Sequence, residues 1–192
     1  MPFCRRKCLY CDFYSQTDLS LTDSYVKAVV RNIRAANITA DTVYFGGGTP
    51  SLLSGAQIYD ILSAADISAD AEISAECNPD SATLPLMRDF RAAGINRLSI
   101  GIQSFNDDEL KMMGRLHNSR QAAEAIQNAQ KAGFENISAD LMLGLPYQTE
   151  ETVRDNIRKL AELNVTHISA YMLKIEKGTP FYVNPPKHLA GE

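Results

Sequence analysis

The chain has 192 residues, a formal net charge of −4 and an apolar content of 45%. This length supports one domain with a full hydrophobic core, and the composition is ordinary for a globular protein. The pI of about 5.4 argues against a nucleic-acid binder, which usually carries a basic stripe. No apolar run approaches the roughly 18 residues of a membrane span and no signal peptide is recognisable, so we expect a cytoplasmic protein.

Segments rich in β-formers alternate with segments of helical periodicity. In chain order, the predicted strands span 43–46, 71–75, 97–102, 136–143 and 167–173. The predicted helices span 22–36, 55–65, 82–93, 119–132 and 149–163, and the third has Asp80 and Ser81 as candidate caps. This alternation predicts an α/β fold of parallel βαβ units, whose ligands gather at the carboxyl ends of the strands. An open doubly wound sheet and a barrel or partial barrel both fit.

Three of the four cysteines lie close together as Cys4-x3-Cys8-x2-Cys11, whereas Cys77 stands alone. Three thiolates on one short loop suit an iron–sulfur cluster whose fourth iron stays open for an exchangeable ligand. The alternative is structural zinc, for which Cys77 or a histidine would have to complete four ligands, and this spacing is unusual for zinc. The residues between the first two cysteines are cationic, which stabilises thiolates and an anionic cluster: Arg5, Arg6 and Lys7.

Two further motifs directly follow predicted strands. The run Gly46-Gly47-Gly48-Thr49-Pro50 allows the backbone to approach a ligand closely, although a tight turn is the alternative. It is not a phosphate-binding P-loop, because no Gly-Lys-Ser/Thr follows. In Glu76-Cys77-Asn78-Pro79 the carboxylate can accept hydrogen bonds from an amine or from ribose hydroxyls. The alternative there is a helix-initiating turn with Asn78 or Asp80 as a cap.

Three polar residues near the later strands are also candidates. Gln103 lies just past a buried strand and needs a hydrogen-bond partner. Arg115 is either a ligand contact or an ordinary cation that caps a helix over 107–113. Asp140 lies inside an apolar strand, where a carboxylate is costly unless it is paired, and its alternative role is to hold a loop together. His117 is interpreted as structural.

Residues 2–15, from Pro2 to Ser15, resemble the cluster loop of radical-SAM proteins. More narrowly, they resemble the oxygen-independent coproporphyrinogen III oxidase-like group, and the similarity runs through nearly the whole chain. The resemblance implies a partial (β/α)6 TIM-like barrel of parallel strands, which here lacks its first strand. It also implies that Cys4, Cys8 and Cys11 hold a [4Fe–4S] cluster. S-adenosylmethionine (SAM) would bind the open iron and be cleaved reductively to a 5′-deoxyadenosyl radical.

The resemblance further implies which residues contact SAM. These are Tyr10, Gly47, Gly48, Thr49, Glu76, Gln103, Arg115 and Asp140. Residues 144–146 would shape the adenine end of the site. No separate catalytic residue follows from the resemblance. The family motif does not require a cysteine at Cys77, which is interpreted as a small buried hydrophobe.

Phe13 distinguishes two branches of the group, because coproporphyrinogen dehydrogenases carry a fourth cysteine at this position. The departure favours the haem-chaperone branch, whose members bind haem and deliver it to haem-requiring enzymes. The alternatives are an oxygen-independent coproporphyrinogen III oxidase, which decarboxylates propionates to form protoporphyrinogen IX, and a zinc-stabilised α/β binding domain. Whether the chain is itself an enzyme stays open, and a catalytic form would be an oxidoreductase.

The resemblance also bears on partners and on chain length. It implies haem or a porphyrinogen as ligand, a flavodoxin or ferredoxin as electron donor, a haem-acceptor protein and peripheral contact with a membrane. Family members have a strand before Pro2 and a C-terminal region that covers the site. We therefore expect a fragment, with a core domain over 1–177 and the start of a connection to a missing domain over 178–192. The tail is not expected to form an element, and the cluster loop is expected to fray.

Overall fold

The structure, a computed structural model, describes residues 1–189. One parallel sheet contains five strands: β1 (Thr39–Phe45), β2 (Asp66–Cys77), β3 (Arg97–Gln103), β4 (Asn136–Leu143) and β5 (His167–Met172). The helices are α1 (Thr22–Ala36), α2 (Gly55–Leu62), α3 (Leu84–Ala93), α4 (Asp107–Met112), α5 (Ser119–Lys131), α6 (Glu150–Glu162) and α7 (Pro180–Val183). Short 3-10 turns span Leu19–Leu21 and Pro50–Leu52.

Strand order in the sheet follows chain order from β1 to β5, and each neighbouring pair is parallel. A doubly wound sheet requires the order to reverse at a switch point, and no reversal occurs among the described strands. Right-handed crossovers in one direction put the helices on one side and curl the sheet. The fold is therefore an α/β half-barrel, as the resemblance implies, and the doubly wound alternative is wrong.

The apolar core lies between the sheet and its helices. In the central strand β3, every second side chain is apolar and fully buried: Leu98, Ile100 and Ile102. They belong to the same buried cluster as Phe90 of α3 and Ile126 of α5. None of the helices within residues 1–189 combines the length and hydropathy that crossing a membrane requires.

Most predicted elements agree with the structure, and the differences lie at their ends. Helix α1 and strand β4 have the predicted bounds, whereas β2 begins at Asp66 rather than at residue 71. Helix α3 begins at Leu84, and its N-cap is Thr83, whose hydroxyl accepts a hydrogen bond from the Leu86 amide. Asp80 and Ser81 are therefore not the caps. The Ser81 hydroxyl instead donates to the Asn78 carbonyl inside the preceding turn.

Residues 3–16, here called the cysteine loop, are bonded to the rest of the fold. Phe3 is 1% exposed, and its ring packs edge-on against Tyr25 at a centroid distance of 5.5 Å. The Cys4 amide donates to the Gln16 carbonyl (3.0 Å), and the Thr49 amide donates to the Phe3 carbonyl (2.7 Å). These contacts hold both ends of the loop, whereas the sequence alone led us to expect fraying.

The segment after residue 177 is not simply a chain leaving the fold. Residues Pro180–Val183 form the one-turn helix α7, and Phe181 is buried. The Phe181 amide donates to the Leu9 carbonyl of the cysteine loop at 3.0 Å. The expectation that this tail forms no element is wrong for that turn. The domain division after residue 177 stays a prediction, and residues 190–192 lie outside the described residues.

Candidate functional site

A cleft of about 510 Å³ opens at the carboxyl ends of the strands, beside the cysteine loop. This volume is typical of a small-molecule site. All the predicted site residues line the cleft: Cys4, Cys8, Tyr10, Cys11, Gly47, Gly48, Thr49, Glu76, Gln103, Arg115 and Asp140. The parallel sheet brings them together because every strand ends at the same edge. Their individual roles toward a ligand stay predictions.

The donor set of the cleft fits a polynuclear cluster. Cys4, Cys8 and Cys11 are free, partly buried thiols that line the same cleft. Within residues 1–189, no three histidine, cysteine, aspartate or glutamate side chains converge closely enough to hold one metal ion. Mononuclear zinc needs such convergence, whereas a [4Fe–4S] cluster attaches each thiolate to a different iron. Three thiols that line one cleft therefore fit a [4Fe–4S] cluster.

Cys77 behaves as the sequence predicts. Its side chain is 3% exposed and belongs to the main apolar core. Burial raises the pKa of the Cys77 thiol to about 12, so it stays protonated near neutral pH. A protonated, buried thiol is a poor metal ligand, since metals bind the thiolate. Cys77 is thus a small hydrophobe of the core.

The glycine run lies beside the N-terminal segment. The Gly48 amide donates to the Met1 carbonyl, and the next amide, that of Thr49, donates to the Phe3 carbonyl. A Cβ at Gly48 would collide with the Phe3 carbonyl oxygen, so this position requires glycine. The expected close approach is therefore made by the protein's own backbone. The ligand-contact role of Gly47 and Gly48 rests on their position in the lining.

The Glu76 carboxylate is fixed at the end of β2 by two donors. The Tyr44 hydroxyl donates to Oε1 at 2.5 Å, and the Gly47 amide donates to Oε2 at 3.0 Å. Each oxygen keeps a further lone pair for a ligand amine or hydroxyl. Burial, together with the bond to Glu76, raises the pKa of Tyr44 well above its ordinary value. Tyr44 therefore stays a hydrogen-bond donor.

Gln103 and Tyr171 form a second polar pair in the cleft. Gln103 has a φ of 66° at the end of β3, a strained conformation of the kind that clusters at functional sites. Its Oε1 accepts a hydrogen bond from the Tyr171 hydroxyl at 2.6 Å. Burial raises the pKa of Tyr171 to about 12 and raises that of Tyr10 further. Both phenols are therefore neutral near pH 7.

Asp140 of β4 has a partner but no ion pair within the described residues. Its Oδ1 accepts a hydrogen bond from the Ser99 hydroxyl at 2.9 Å. Burial raises the pKa of Asp140 to about 6, and the nearby negative charge of Glu76 adds to this effect. The raised pKa is the physical signature of a carboxylate held in an apolar strand. Among the described residues only Oδ1 has a hydrogen-bond partner, so Oδ2 can accept a further hydrogen bond.

Arg115 lies deeper than a surface cation. It donates from Nη2 to Asn78 Oδ1 (2.8 Å) and to the Gly101 carbonyl (2.6 Å). From Nη1 it donates to Cys8 Sγ at 3.6 Å. These bonds exclude the alternative of a helix-capping surface residue. They show that the guanidinium faces a cysteine as well as the cleft.

Two other features of the sequence lie outside the cleft. His117 is buried, its Nε2 is 3.0 Å from the Ile102 carbonyl oxygen, and burial lowers its pKa to about 4. These values agree with a neutral structural histidine. Residues 144–146 are not part of the cleft lining, and Leu145 packs in a small apolar cluster with Met113. The role of residues 144–146 at the adenine end stays a prediction.

The lining residues that were not predicted include these four: Tyr44, Asn78, Ser99 and Tyr171. Each lies on or directly after a strand that the sequence did predict. The available signal was strand alternation, since Ser99 shares the side of β3 that also holds Gly101 and Gln103. Asn78 was considered only as a cap, because its partners are distant in sequence.

Comparison with known proteins assigns the chain to a class. Residues 1–168 match the radical SAM superfamily. Because this match covers most of the chain, the protein belongs to that family. Membership implies a [4Fe–4S] cluster and SAM, and the three free thiols on one cleft fit them.

Individual relatives narrow the similarity. The chain is 38% identical to heme chaperone HemW of Escherichia coli (strain K12), over 97% of this chain and 52% of that protein. It is 35% identical to radical S-adenosyl methionine domain-containing protein 1, mitochondrial, of Bos taurus, over 94% and 43% respectively. Coproporphyrinogen III oxidase (HemN) from Escherichia coli, a radical SAM enzyme, superposes with a TM-score of 0.80 at 28% identity, over 91% of this chain and 43% of that one. The chain spans about half the length of the curated relatives it matches.

Proposed function

We propose that this chain is the radical-SAM core of a haem-chaperone-like protein that takes part in haem or porphyrin metabolism. The observation that carries the proposal is the cleft in which Cys4, Cys8 and Cys11 meet polar side chains from several strand ends. Haem handling is supported by relatives named heme chaperone HemW at 35% to 38% identity. Phe13, at the position where the oxidases carry a cysteine, also supports the chaperone branch.

The side chains of the cleft suggest how SAM would be held. When bound, the cluster would supply the electron for reductive cleavage of SAM. Glu76 and Asp140 would accept hydrogen bonds from the amine and the ribose hydroxyls. Arg115 and Gln103 would provide positive charge and a polar contact near the carboxylate. These roles are proposals that each single-residue variant can test.

Anaerobic reconstitution of the full-length protein with iron and sulfide tests the cluster. We expect a brown protein whose visible absorbance bleaches on reduction. Cys8→Ser should lose iron binding, whereas Cys77→Ser is the matched control and should retain it, because Cys77 belongs to the buried core. A colourless protein that contains zinc would contradict the proposal.

The structural match to coproporphyrinogen III oxidase supports a second candidate, an oxygen-independent oxidase. The two functions differ in their product. The full-length protein would be incubated with SAM, a low-potential reductant and coproporphyrinogen III under anaerobic conditions. Formation of protoporphyrinogen IX would establish the oxidase and overturn the chaperone proposal. Stoichiometric haem binding without that product would support the chaperone.

Further partners and the compartment belong to the same proposal. Reduced cluster thiols require a reducing compartment, for which we propose the cytoplasm.

The exposed side chains of Arg5, Arg6 and Lys7 surround the first cysteines and suit an acidic electron donor such as a flavodoxin or ferredoxin. Reduction by such a donor should slow as salt rises, and a salt-independent rate would contradict this docking. We also propose that the protein delivers haem to an acceptor protein and that it contacts a membrane peripherally. Co-sedimentation with lipid vesicles tests the membrane contact.

A further inference from the structure

A chain of three hydrogen-bonded side chains joins the sulfurs of two cysteines. The Thr49 hydroxyl donates to Cys4 Sγ at 3.4 Å. The Asn78 amide nitrogen donates to Thr49 Oγ1 at 3.0 Å, and Asn78 Oδ1 accepts from Arg115 Nη2 at 2.8 Å. Arg115 Nη1 then donates to Cys8 Sγ at 3.6 Å. We call these three residues the sulfur-linked chain.

The members of the sulfur-linked chain come from three separate parts of the fold. Thr49 follows β1, Asn78 follows β2, and Arg115 lies between α4 and α5. No helix or turn requires these side chains to meet. Gly101 makes room for the guanidinium, since a Cβ there would lie 3.1 Å from Arg115 Nη2. The arrangement is therefore a product of the tertiary fold at the cysteine loop.

Asn78 fixes the direction of the hydrogen bonds that lead from Arg115 to Cys4. Its carbonyl oxygen must face Arg115, because the guanidinium has only donors. Its NH₂ group therefore faces Thr49 Oγ1 and leaves the Thr49 hydrogen to point toward Cys4 Sγ. Among residues 1–189, Cys11 receives no comparable side-chain donor. Two of the three cysteine thiols thus accept hydrogen bonds from donors that are themselves bonded to the side-chain amide of Asn78.

Hydrogen bonds to cluster sulfurs have a known physical consequence. A donor or a cation beside a thiolate stabilises the more negative, reduced cluster more than the oxidised one. Thr49 is 4% exposed and Arg115 is partly buried, so water screens these interactions weakly. Both effects raise the reduction potential. They act on the thiolates that hold the cluster and do not require contact with SAM.

We infer that the sulfur-linked chain sets the reduction potential of the bound cluster, with Asn78 as the residue that orients the Thr49 hydroxyl and, together with the Gly101 carbonyl, positions Arg115. The inference rests on the proposed function for the presence of that cluster. Reduction takes one electron from an external low-potential donor and adds one negative charge to the cluster. No bond of the protein forms or breaks in this step. Asn78 is a positioning residue, since it touches neither the iron nor the sulfurs.

The test is the midpoint potential of the reconstituted full-length protein, followed by the electron paramagnetic resonance signal of the reduced cluster. Asn78→Ala removes the group that orients the Thr49 hydroxyl and one of the two acceptors that hold Arg115 Nη2. Thr49→Val removes the hydroxyl itself, whereas Thr49→Ser keeps it. We expect Asn78→Ala and Thr49→Val to lower the equilibrium constant for one-electron reduction by roughly tenfold, which is about 59 mV. Thr49→Ser should restore the wild-type value.

Ser81→Ala is the matched control. Ser81 lies in the same turn and bonds the Ser51 hydroxyl and the Asn78 carbonyl, and neither of these bonds involves a cysteine. The midpoint potential of Ser81→Ala should equal that of the wild type. Unchanged midpoints in Asn78→Ala and Thr49→Val would overturn the inference, and so would an equal drop in Ser81→Ala.

The amount of bound iron separates tuning from assembly. If Asn78→Ala and Thr49→Val lose iron while Thr49→Ser and Ser81→Ala retain it, the chain serves cluster assembly, and the inference is wrong. If the wild type itself holds no cluster, the proposed function fails, and the inference fails with it. That outcome is visible before any variant is compared. A variant-specific change in midpoint at full iron content supports the inference.

Discussion

At the scale of single residues, the polar groups of the cleft are held by one another before any ligand arrives. Glu76 is fixed by Tyr44 and Gly47, and Asp140 is fixed by Ser99. Such preorganisation lowers the entropy that ligand binding would otherwise cost. Residues that never contact the ligand can therefore change its affinity.

Tyr44→Phe tests this preorganisation. The variant keeps the ring but removes the hydroxyl that holds Glu76 Oε1. We expect SAM to bind the reconstituted protein roughly three- to tenfold more weakly, about the net contribution of one ordinary hydrogen bond. Isothermal titration calorimetry measures the change. Tyr59→Phe is the control, since Tyr59 is 59% exposed on α2, and an equal loss there would contradict the prediction.

Asp140 predicts a pH dependence of stability. Burial raises its folded pKa from 3.8 to about 6, so the folded state binds this proton more tightly than the unfolded state. The contribution of Asp140 to the free energy of unfolding is complete below about pH 4 and is lost as the pH rises to about 6. This loss is at most about 3 kcal/mol. In urea unfolding, Asp140→Asn should remove this loss between pH 4 and pH 7. Asp60→Asn, at an exposed site on α2, should keep it. A wild-type slope in Asp140→Asn would contradict the assignment.

At the scale of elements, the cysteine loop is held by one buried side chain and by backbone hydrogen bonds to several elements. Phe3 packs against Tyr25 of α1, while backbone bonds join the loop to the end of β1. The Leu9 carbonyl accepts from α7, and the Leu9 amide donates to the Met113 carbonyl. The loop is thus bonded to elements from both halves of the chain.

Phe3→Ala should loosen this loop. Removing a fully buried phenylalanine costs about 3 kcal/mol or more and leaves a cavity beside α1. We expect a lower melting temperature and faster loss of iron to a chelator. Phe13→Ala is the matched control, because Phe13 lies in the same loop but is 62% exposed. Equal iron release from the two variants would show that the packing of Phe3 does not hold the loop.

At the scale of the whole molecule, the parallel sheet brings polar side chains from all of the described strands to one edge. Strands β1 to β4 each contribute a lining residue already named, and Tyr171 comes from β5. A ligand that fills the cleft would therefore lie beside residues from each of the described strands. Its binding free energy adds directly to the stability of the folded state.

Ligand linkage follows from this geometry. With SAM at one hundred times its dissociation constant, the free energy of unfolding of the reconstituted protein should rise by about 2.7 kcal/mol. For a chain of this size the melting temperature should rise by about 5 to 10 °C in differential scanning calorimetry. Cys8→Ser, which should not hold the cluster, should show a much smaller rise at the same SAM concentration. An equal rise would mean that SAM binds without the cluster.

Much of the fold could be predicted from the sequence, because apolar runs and helix periodicity are local signals. Helix α1 and strand β4 were predicted with their full bounds, whereas the polar first half of β2 was missed. The meeting of the strand-end motifs was predictable because the carboxyl ends of parallel strands lie at one edge, whereas the set of SAM contacts was implied by the family resemblance. The contacts that hold Phe3 and Phe181 could not be predicted, since they join segments that are far apart in the sequence.

The three cysteines and their spacing are a property of the sequence alone, because ligand type and loop length are local. The α/β class and the position of the site at the strand ends follow from the sequence for the same reason. Only the tertiary structure decided between the doubly wound sheet and the half-barrel, since strand order is not encoded in any local pattern. It alone showed that Thr49, Asn78 and Arg115 link two sulfurs. Hydrogen bonds between side chains of different strand ends depend on how the whole sheet curls, and no local pattern contains that information.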